Sequence, residues 1–308
     1  MSSYLITGGA GFIGSALARK LIELSHDVTI IDNLLTGPIE NIPKSANFIQ
    51  GDCSDELTIK KLNSKYFDAI FHIAGQSSGE ISFENPVYDL HTNVRSTLLL
   101  LKYALDTRCE KFIYASTMSV YGHQPDFAIN ESTNADPISF YAVGKLASEH
   151  YLKIYSHLGL NTTALRLFNV YGPGQNMNNM KQGMVSIFIA QAIKNNTIKV
   201  KGSSSRFRDF IFIDDVVNAF ILANQTKQFG FNIYNIGTGV RTTVRELLRK
   251  IKDNFKNKLL VEFVESTPGD QHGIYSDIKK VKKELNWSPK IELEDGLALM
   301  VKWVLNNE

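Results

Sequence analysis

The sequence predicts an α/β fold: a doubly wound parallel sheet with helices on both faces, joined to a smaller, mostly C-terminal α/β unit. Three observations carry this expectation. Apolar runs alternate with amphipathic helical stretches through the first half of the 308-residue chain, the pattern of repeated βαβ units. A glycine-rich turn separates the first expected strand from the first expected helix. Tyr141 and Lys145 stand four residues apart, downstream of an expected strand that ends in Ala115-Ser116-Thr117.

Taken in order, strands are expected at residues 4–7, 28–32, 48–50, 69–73, 111–115 and 162–166, each a short apolar run. Helices fill the intervals, notably at 12–24, 86–106 and 140–158. Right-handed crossovers place every strand's C-terminal end on one edge, where open α/β sheets bind ligands. Gly8, Asp32, Ala74, Thr117 and Tyr141 all fall at or just beyond that edge. Residues 169–179, rich in Asn, Gly and Pro, read as a loop. A helix at 184–194, a strand at 198–201 and a flexible Gly-Ser-Ser-Ser at 202–205 lead into Arg206-Phe207-Arg208-Asp209. Residues 210–213, a helix from Asp215 and residues 234–237 read as a return to the main sheet. Two helices and a strand remain, covering the ligand edge.

Composition narrows the function classes. With 44% hydrophobic and 21% charged residues the composition is ordinary for a soluble globular protein. A formal charge of +2 gives no reason to expect nucleic acid or an anionic membrane. Cys53 and Cys109 are the only cysteines and form no ligand cluster, so neither a metal site nor a disulfide is expected. The first strand is expected to begin at once, so no signal peptide is expected, and no apolar run approaches the length of a membrane span. A cytoplasmic location is expected.

The glycine-rich turn is Thr7-Gly8-Gly9-Ala10-Gly11-Phe12-Ile13-Gly14. Gly8 permits the tight turn, Gly11 admits a pyrophosphate, and Gly14 lets the helix opened by Phe12 and Ile13 pack on the strand. A helix N-terminus offers free N–H donors and a positive dipole end to such an anion. Asp32, ending the next strand, suits the adenosine ribose hydroxyls and would repel a 2′-phosphate. The following Asn33-Leu34-Leu35-Thr36 has no arginine to welcome that phosphate, so NAD is expected rather than NADP. Asp52 and Cys53 would border the adenine. Asp52 also reads as a plain turn or helix-capping aspartate.

On a helix, Tyr141 and Lys145 share a face, and the ammonium favours the ionised phenol. A phenolate is a competent base toward a sugar hydroxyl. Tyr275 and Lys279 repeat the spacing, but follow no strand carrying a hydroxyl and lie in an expected lysine-rich surface helix.

Several motifs then point one way: GGAGFIG at 8–14, Asp32, Phe71-His72-Ile73-Ala74-Gly75, Asn93, STMSVYG at 116–122, YAVGK at 141–145, LRLFNVYGPG at 165–174 and RDFIFIDD at 208–215. Across nearly its whole length the chain resembles the extended short-chain dehydrogenase/reductase family, in its nucleotide-sugar epimerase/dehydratase branch, and within that the UDP-glucose/UDP-galactose 4-epimerases. The resemblance implies a Rossmann unit binding NAD at 1–168 and 207–240, and a nucleotide-sugar unit at 169–206 and 241–308. It also implies a homodimer pairing helices 86–106 and 140–158. Carried across, Tyr141 is the proton-shuttling base, Lys145 its partner on the nicotinamide ribose, and Thr117 the hydroxyl that binds the reacting sugar oxygen. Ala74 and Gly75 border the cofactor, and Asn93 helps position the active-site helix. Asn169 and Arg208 contact the nucleotide's phosphates and Asp270 its ribose. An exposed arginine after a serine run suits a diphosphate, although a salt bridge to Asp209 or Asp214 is the plainer reading.

Absences select the reaction. The 4,6-dehydratases of this family carry an Asp-Glu pair after the threonine, and decarboxylating relatives keep the glutamate. Here Met118 and Ser119 stand there, and neither shuttles that proton. One base, one hydroxyl and NAD suffice for a 4-epimerase. The substrate departs from the pattern in places: Thr267 replaces a phosphate-binding arginine, and Ser77 stands where relatives often have lysine. Ile274 replaces a tyrosine wall, leaving space for an N-acetyl group. Alternatives are a CDP-sugar 2-epimerase, a UDP-glucuronate 4-epimerase or a non-catalytic NAD sensor, which would typically lack the tyrosine. His150 and His157 read as packing residues on one helix face, Met177, Met180 and Met184 as loop or core packing, and Phe112, Tyr114 and Phe210 as core.

Overall fold

A computed structural model describes residues 1–181, 183–265 and 272–307. Its centre is a sheet of seven parallel strands. These are β1 (Ser3–Thr7), β2 (Asp27–Asp32), β3 (Asn47–Gln50), β4 (Ala69–His72) and β5 (Lys111–Thr117), with the strands Asn161–Leu167 and Phe231–Ile236. In space the order runs Phe231–Ile236, Asn161–Leu167, β5, β4, β1, β2, β3. The winding reverses between β1 and β4, and that crevice is where such sheets take ligands.

The strands are near-continuously apolar because both faces are covered. Alternate side chains supply the two cores. Tyr4, Ile6, Ile30, Phe71, Ile113 and Leu165 enter the larger one, with the helices Phe12–Glu23 and Ile213–Gln225. Leu5, Ile31, Ile70, Phe112, Tyr114 and Ala164 enter the other, with Leu100, Leu101 and Leu152 from the helices Ser96–Asp106 and Phe140–His157. Phe112, Tyr114 and Phe210 are core, as expected. Met177 and Met184 pack against the larger core, whereas Met180 is exposed.

Several expectations are corrected. The helix expected at 86–106 is a run of three pieces: Pro86–Leu90, a π turn over His91–Arg95, and Ser96–Asp106. In the π turn the Asn93 carbonyl accepts from the hydroxyls of Thr97 and Ser148, both at 2.8 Å. Asn169–Tyr171, expected as loop, is a strand, and Phe210–Phe212 pairs with it in parallel instead of entering the main sheet. Phe231–Ile236 does enter that sheet, at its edge. Thr197–Lys201 pairs with Leu260–Val264. Beyond residue 241 the described residues form three helices, Val244–Lys252, Lys279–Leu285 and Leu293–Asn307. Tyr275 lies in the short strand Tyr275–Ser276 and Lys279 opens the next helix, so that pair shares no helix face. His150 and His157 are exposed, because they lie on the side of their helix turned from the sheet. Among the described residues no helix is long and apolar enough to cross a membrane.

The first crossover depends on two glycines. Gly8 has φ +73°, and a Cβ there would lie 2.7 Å from the Ala74 amide nitrogen. A Cβ on Gly14 would drive into the Gly8 carbonyl oxygen, so the helix sits close on the turn only with hydrogen at that position. Gly14→Ala is therefore expected to destabilise the cofactor-free chain by about 1–3 kcal/mol, the usual scale of overpacking, read as a lower urea midpoint with unchanged m-value.

Candidate active site

The parallel sheet delivers the chemistry-bearing residues to one edge. Thr7, Asp32, His72 and Thr117 end β1, β2, β4 and β5. Past β5 the chain makes a 3-10 turn, Met118–Tyr121, capped by Thr117, whose Oγ1 accepts from the Ser119 amide and donates to Ser119 Oγ, both at 3.2 Å. The helix Phe140–His157 opens under a Ser139 cap, Oγ accepting from the Ala142 amide at 3.2 Å. This puts Tyr141 in the first turn and Lys145 one turn on, 9% and 4% exposed. Lys145 Nζ donates to the Ala115 carbonyl at 3.0 Å and lies 4.7 Å from the Tyr114 ring centre and 5.9 Å from that of Tyr141.

Burial acts on both groups in the direction that disfavours charge. It pushes the Tyr141 phenol up to about 12, against a hydrogen bond with Thr117 and with help from the charge of Asp89. It brings Lys145 down to about 8, against the attraction of Asp89 and Glu149. Ionising the phenol near neutral pH requires further positive charge beside it.

The cofactor loop fits a dinucleotide. The helix Phe12–Glu23 starts at Gly11 with no side-chain cap, leaving its N-terminus for an anion. Asp32 Oδ2 accepts from the Ala10 amide at 2.9 Å and Oδ1 from the Leu34 amide at 2.8 Å. Each oxygen keeps a lone pair for a ribose hydroxyl. Asn33 donates to Asp52 at 2.9 Å, and Ser54 donates to Asp52 through amide and hydroxyl. Partial burial opposes ionisation of Asp52, but these bonds outweigh it and hold the carboxyl below its usual range. Asp52 thus has the turn role; the cap of the next helix is Asp55. Cys53 is buried, and burial raises its thiol pKa. Ala74 donates to the Thr7 carbonyl at 3.0 Å. A Cβ at Gly75 would collide with Asn93 Oδ1 and sit 3.4 Å from Lys145 Nζ, so the amide oxygen and the ammonium converge there. Asn93 Oδ1 is buried without a hydrogen-bond partner, an acceptor that a bound polar group would satisfy.

The expected substrate contacts divide. Asn169 begins the strand beside Phe210, and its Oδ1 is likewise buried without a partner. Arg208 is 5% exposed, not exposed as expected, because strand pairing with Thr242 draws it inward. It donates to the carbonyls of Phe207 at 2.8 Å and His272 at 3.3 Å, and burial lowers its pKa to about 10, with Arg206 adding repulsion. The carboxylate of Asp209 is taken by Thr238, Gly239 and Ser276. Ile274 is 1% exposed among Val120, Tyr121, Ile129 and Phe168, so it packs behind the Thr117 turn and is not an open wall. Asp270 and Thr267 lie outside the described residues.

Other buried polar residues went unread in the sequence. Asp89, 1% exposed, accepts from Gln76 at 2.8 Å and from Asn93 Nδ2 at 3.1 Å. Asn93 Nδ2 also donates to the Gln76 carbonyl at 2.9 Å, so acceptors fix the amide's orientation and turn its oxygen toward Gly75. His72 is fully buried between Thr7 at 2.7 Å and Thr97 at 3.0 Å, and burial holds its pKa far below the ordinary value. The only sequence signal for Asp89 is its place one helical turn before Asn93.

Known proteins resemble the chain over its whole length. A model of the NAD dependent epimerase/dehydratase family matches residues 4–237. The UDP-glucose 4-epimerase of Mycolicibacterium smegmatis is 34% identical over 309 residues, covering 98% of each chain. The structure of the Thermus thermophilus UDP-glucose 4-epimerase in complex with NAD superposes with a TM-score of 0.92 at 32% identity, over 99% of this chain and 100% of that one. The UDP-N-acetylglucosamine 4-epimerase from Methanobrevibacter ruminantium, in complex with UDP-N-acetylmuramic acid, gives a TM-score of 0.94 at 30% identity, over 100% and 99%.

Lys145 makes stability depend on pH. An unfolded lysine keeps its proton to 10.5, whereas the folded one releases it near 8. Between these values the unfolded chain binds more protons, so this group's contribution to stability rises with pH. The thermal midpoint of the cofactor-free chain is expected to rise from pH 8 to 10 relative to Lys145→Met. Parallel curves for the two proteins would contradict this.

Proposed function

Because the chain belongs to the NAD-dependent epimerase/dehydratase family, we propose that it is a nucleotide-sugar 4-epimerase, interconverting UDP-glucose and UDP-galactose through a transient 4-keto sugar. One observation carries the reading. Thr117, Tyr141 and Lys145 are gathered in one buried cluster, while Met118 and Ser119 follow Thr117 where elimination or decarboxylation would need an acid. Met118 packs against the apolar cluster of Val120 and Phe168, and Ser119 is bonded to Thr117. This set supports a redox-neutral exchange at one carbon.

The loop from Gly8 to Gly14 and Asp32 would hold NAD, which would supply a reversible acceptor for the C4 hydride and a positive charge that draws the phenol's pKa down. Tyr141 then takes the proton of the sugar 4-hydroxyl, and Thr117 binds the same oxygen. Lys145, anchored on Ala115, keeps positive charge beside the phenol and reaches the ribose. After the 4-keto sugar turns to present its other face, Tyr141 returns the proton to the sugar oxygen. Asn169 and Arg208 hold the diphosphate, with Asp270 on the nucleotide's ribose. The NAD-binding unit comprises 1–168 and 207–240, and the sugar-nucleotide unit 169–206 and 241–308. Likeness to the UDP-N-acetylglucosamine 4-epimerase favours N-acetylated hexoses as second substrates.

Two copies pair through the helical faces turned away from the sheet. Val87, Leu90, Val143 and Ile154 are 66%, 53%, 52% and 53% exposed there, an apolar surface that pairing would bury. A dimer is expected by light scattering, and Leu90→Glu with Ile154→Glu is expected to yield monomers.

The test of function is NMR of the protein incubated, without added NAD, with UDP-glucose, UDP-N-acetylglucosamine, UDP-glucuronic acid or a CDP-sugar. Inversion at C4 of UDP-glucose is expected. Inversion of UDP-glucuronic acid alone, or at C2 of the CDP-sugar, would select an alternative. Tyr141→Phe is expected to cut turnover by roughly 10²–10⁴-fold, the worth of a positioned base, with NAD binding nearly intact. Wild-type activity in that variant would remove Tyr141 from its role.

A further inference from the structure

The face of the helix Phe140–His157 that carries Tyr141 and Lys145 has a third polar member one turn further on, Glu149. It is 2% exposed. Its Oε1 accepts from Ser116 Oγ at 2.5 Å and from Arg166 Nε at 2.9 Å, and its Oε2 from Arg166 Nη2 at 2.6 Å. Arg166, 4% exposed, lies on the strand beside β5 and stacks 4.7 Å from the Tyr121 ring centre. The Tyr121 hydroxyl donates to Asn235 at 2.7 Å. A buried pair of this kind gains little net stability over apolar residues of similar volume, since desolvation of both charges offsets their attraction. Its placement says more than its strength. Ser116 stands between Ala115, whose carbonyl anchors Lys145, and Thr117, whose hydroxyl meets Tyr141. The helix thus grips the end of β5 at three successive residues, two through groups of the reacting cluster and the middle one through Glu149.

We propose that Glu149 is a positioning residue: acting through Ser116, it fixes the end of β5 so that Thr117 and the Ala115 carbonyl stand in register with Tyr141 and Lys145. The proposal rests on the reading of those residues as the reacting set. Glu149 touches neither sugar nor cofactor. Its effect falls on the placement of the hydroxyl that binds the reacting oxygen, and so on kcat rather than on nucleotide affinity.

Ser116→Ala tests this cleanly, because it deletes one hydroxyl while both bonds from Arg166 still satisfy the carboxylate. Glu149→Gln strikes the same link but unbalances Arg166 and can prevent folding, so it is secondary. For Ser116→Ala, kcat with UDP-glucose is expected to fall about tenfold, with KM within about twofold of wild type. Crystal structures of wild type and variant are expected to show the Thr117 hydroxyl displaced from Tyr141. An unchanged kcat, or a rise in KM alone, overturns the proposal. If the wild type turns over no nucleotide sugar, the functional reading fails, and the crystal structures still decide the positioning role: a Thr117 that stays in place overturns it.

Discussion

A lysine held almost out of water sets the terms for the rest of the molecule. The Lys145 ammonium cannot reach solvent, so its hydration must be replaced by the Ala115 carbonyl, the face of Tyr114 and the nearby carboxylates of Asp89 and Glu149. Together these replacements tie three other elements to the helix Phe140–His157. Ala115 and Tyr114 bring β5, Asp89 brings the helical run after Pro86, and Glu149 brings the strand Asn161–Leu167 through Arg166. These attachments leave the helix little freedom to slide. The contacts that replace the hydration of the ammonium are also the contacts that hold the helix to the sheet.

The two halves of the site are built differently. The cofactor side is main chain: an uncapped helix N-terminus, a tight turn and one carboxylate stapled to two amides. Such a cradle is rigid and reads features common to every dinucleotide. The side proposed for the sugar nucleotide draws on side chains brought together from distant segments, with Asn169 beside Phe210 and Arg208 against the His272 carbonyl. On that proposal, specificity for the sugar can vary with these side chains while the main-chain cradle stays fixed.

This difference also explains what was legible in the sequence. The glycine turn, Asp32 and the Tyr141/Lys145 pair are short-range patterns whose meaning is set by strand–turn–helix geometry, and the fold places them where spacing required. The unread parts are tertiary. Nothing near Arg208 in sequence announces that pairing with Thr242 would bury it. Ile274 is placed by the cluster behind the Thr117 turn, a packing matter invisible to alignment of a wall position. Asp89 and Glu149 look like ordinary helix-surface acids until the sheet closes over them. Phe210–Phe212 has the apolar content of a core strand, and only the topology assigns it to Asn169 and not to the central sheet.

The π turn at His91–Arg95 has a consequence for chain length. A π turn spends one more residue per hydrogen-bonded ring than an α turn. The wider turn thus absorbs one extra residue while keeping the helical phase on either side of it, so Leu100, Leu101 and Ala104 stay fully buried on the sheet. Removing one residue there would restore regular helix with that face still on the sheet, yet Asn93, inside the turn, would lose its aim. Length at this point of the chain thus governs where Asn93 points, not how the helix packs.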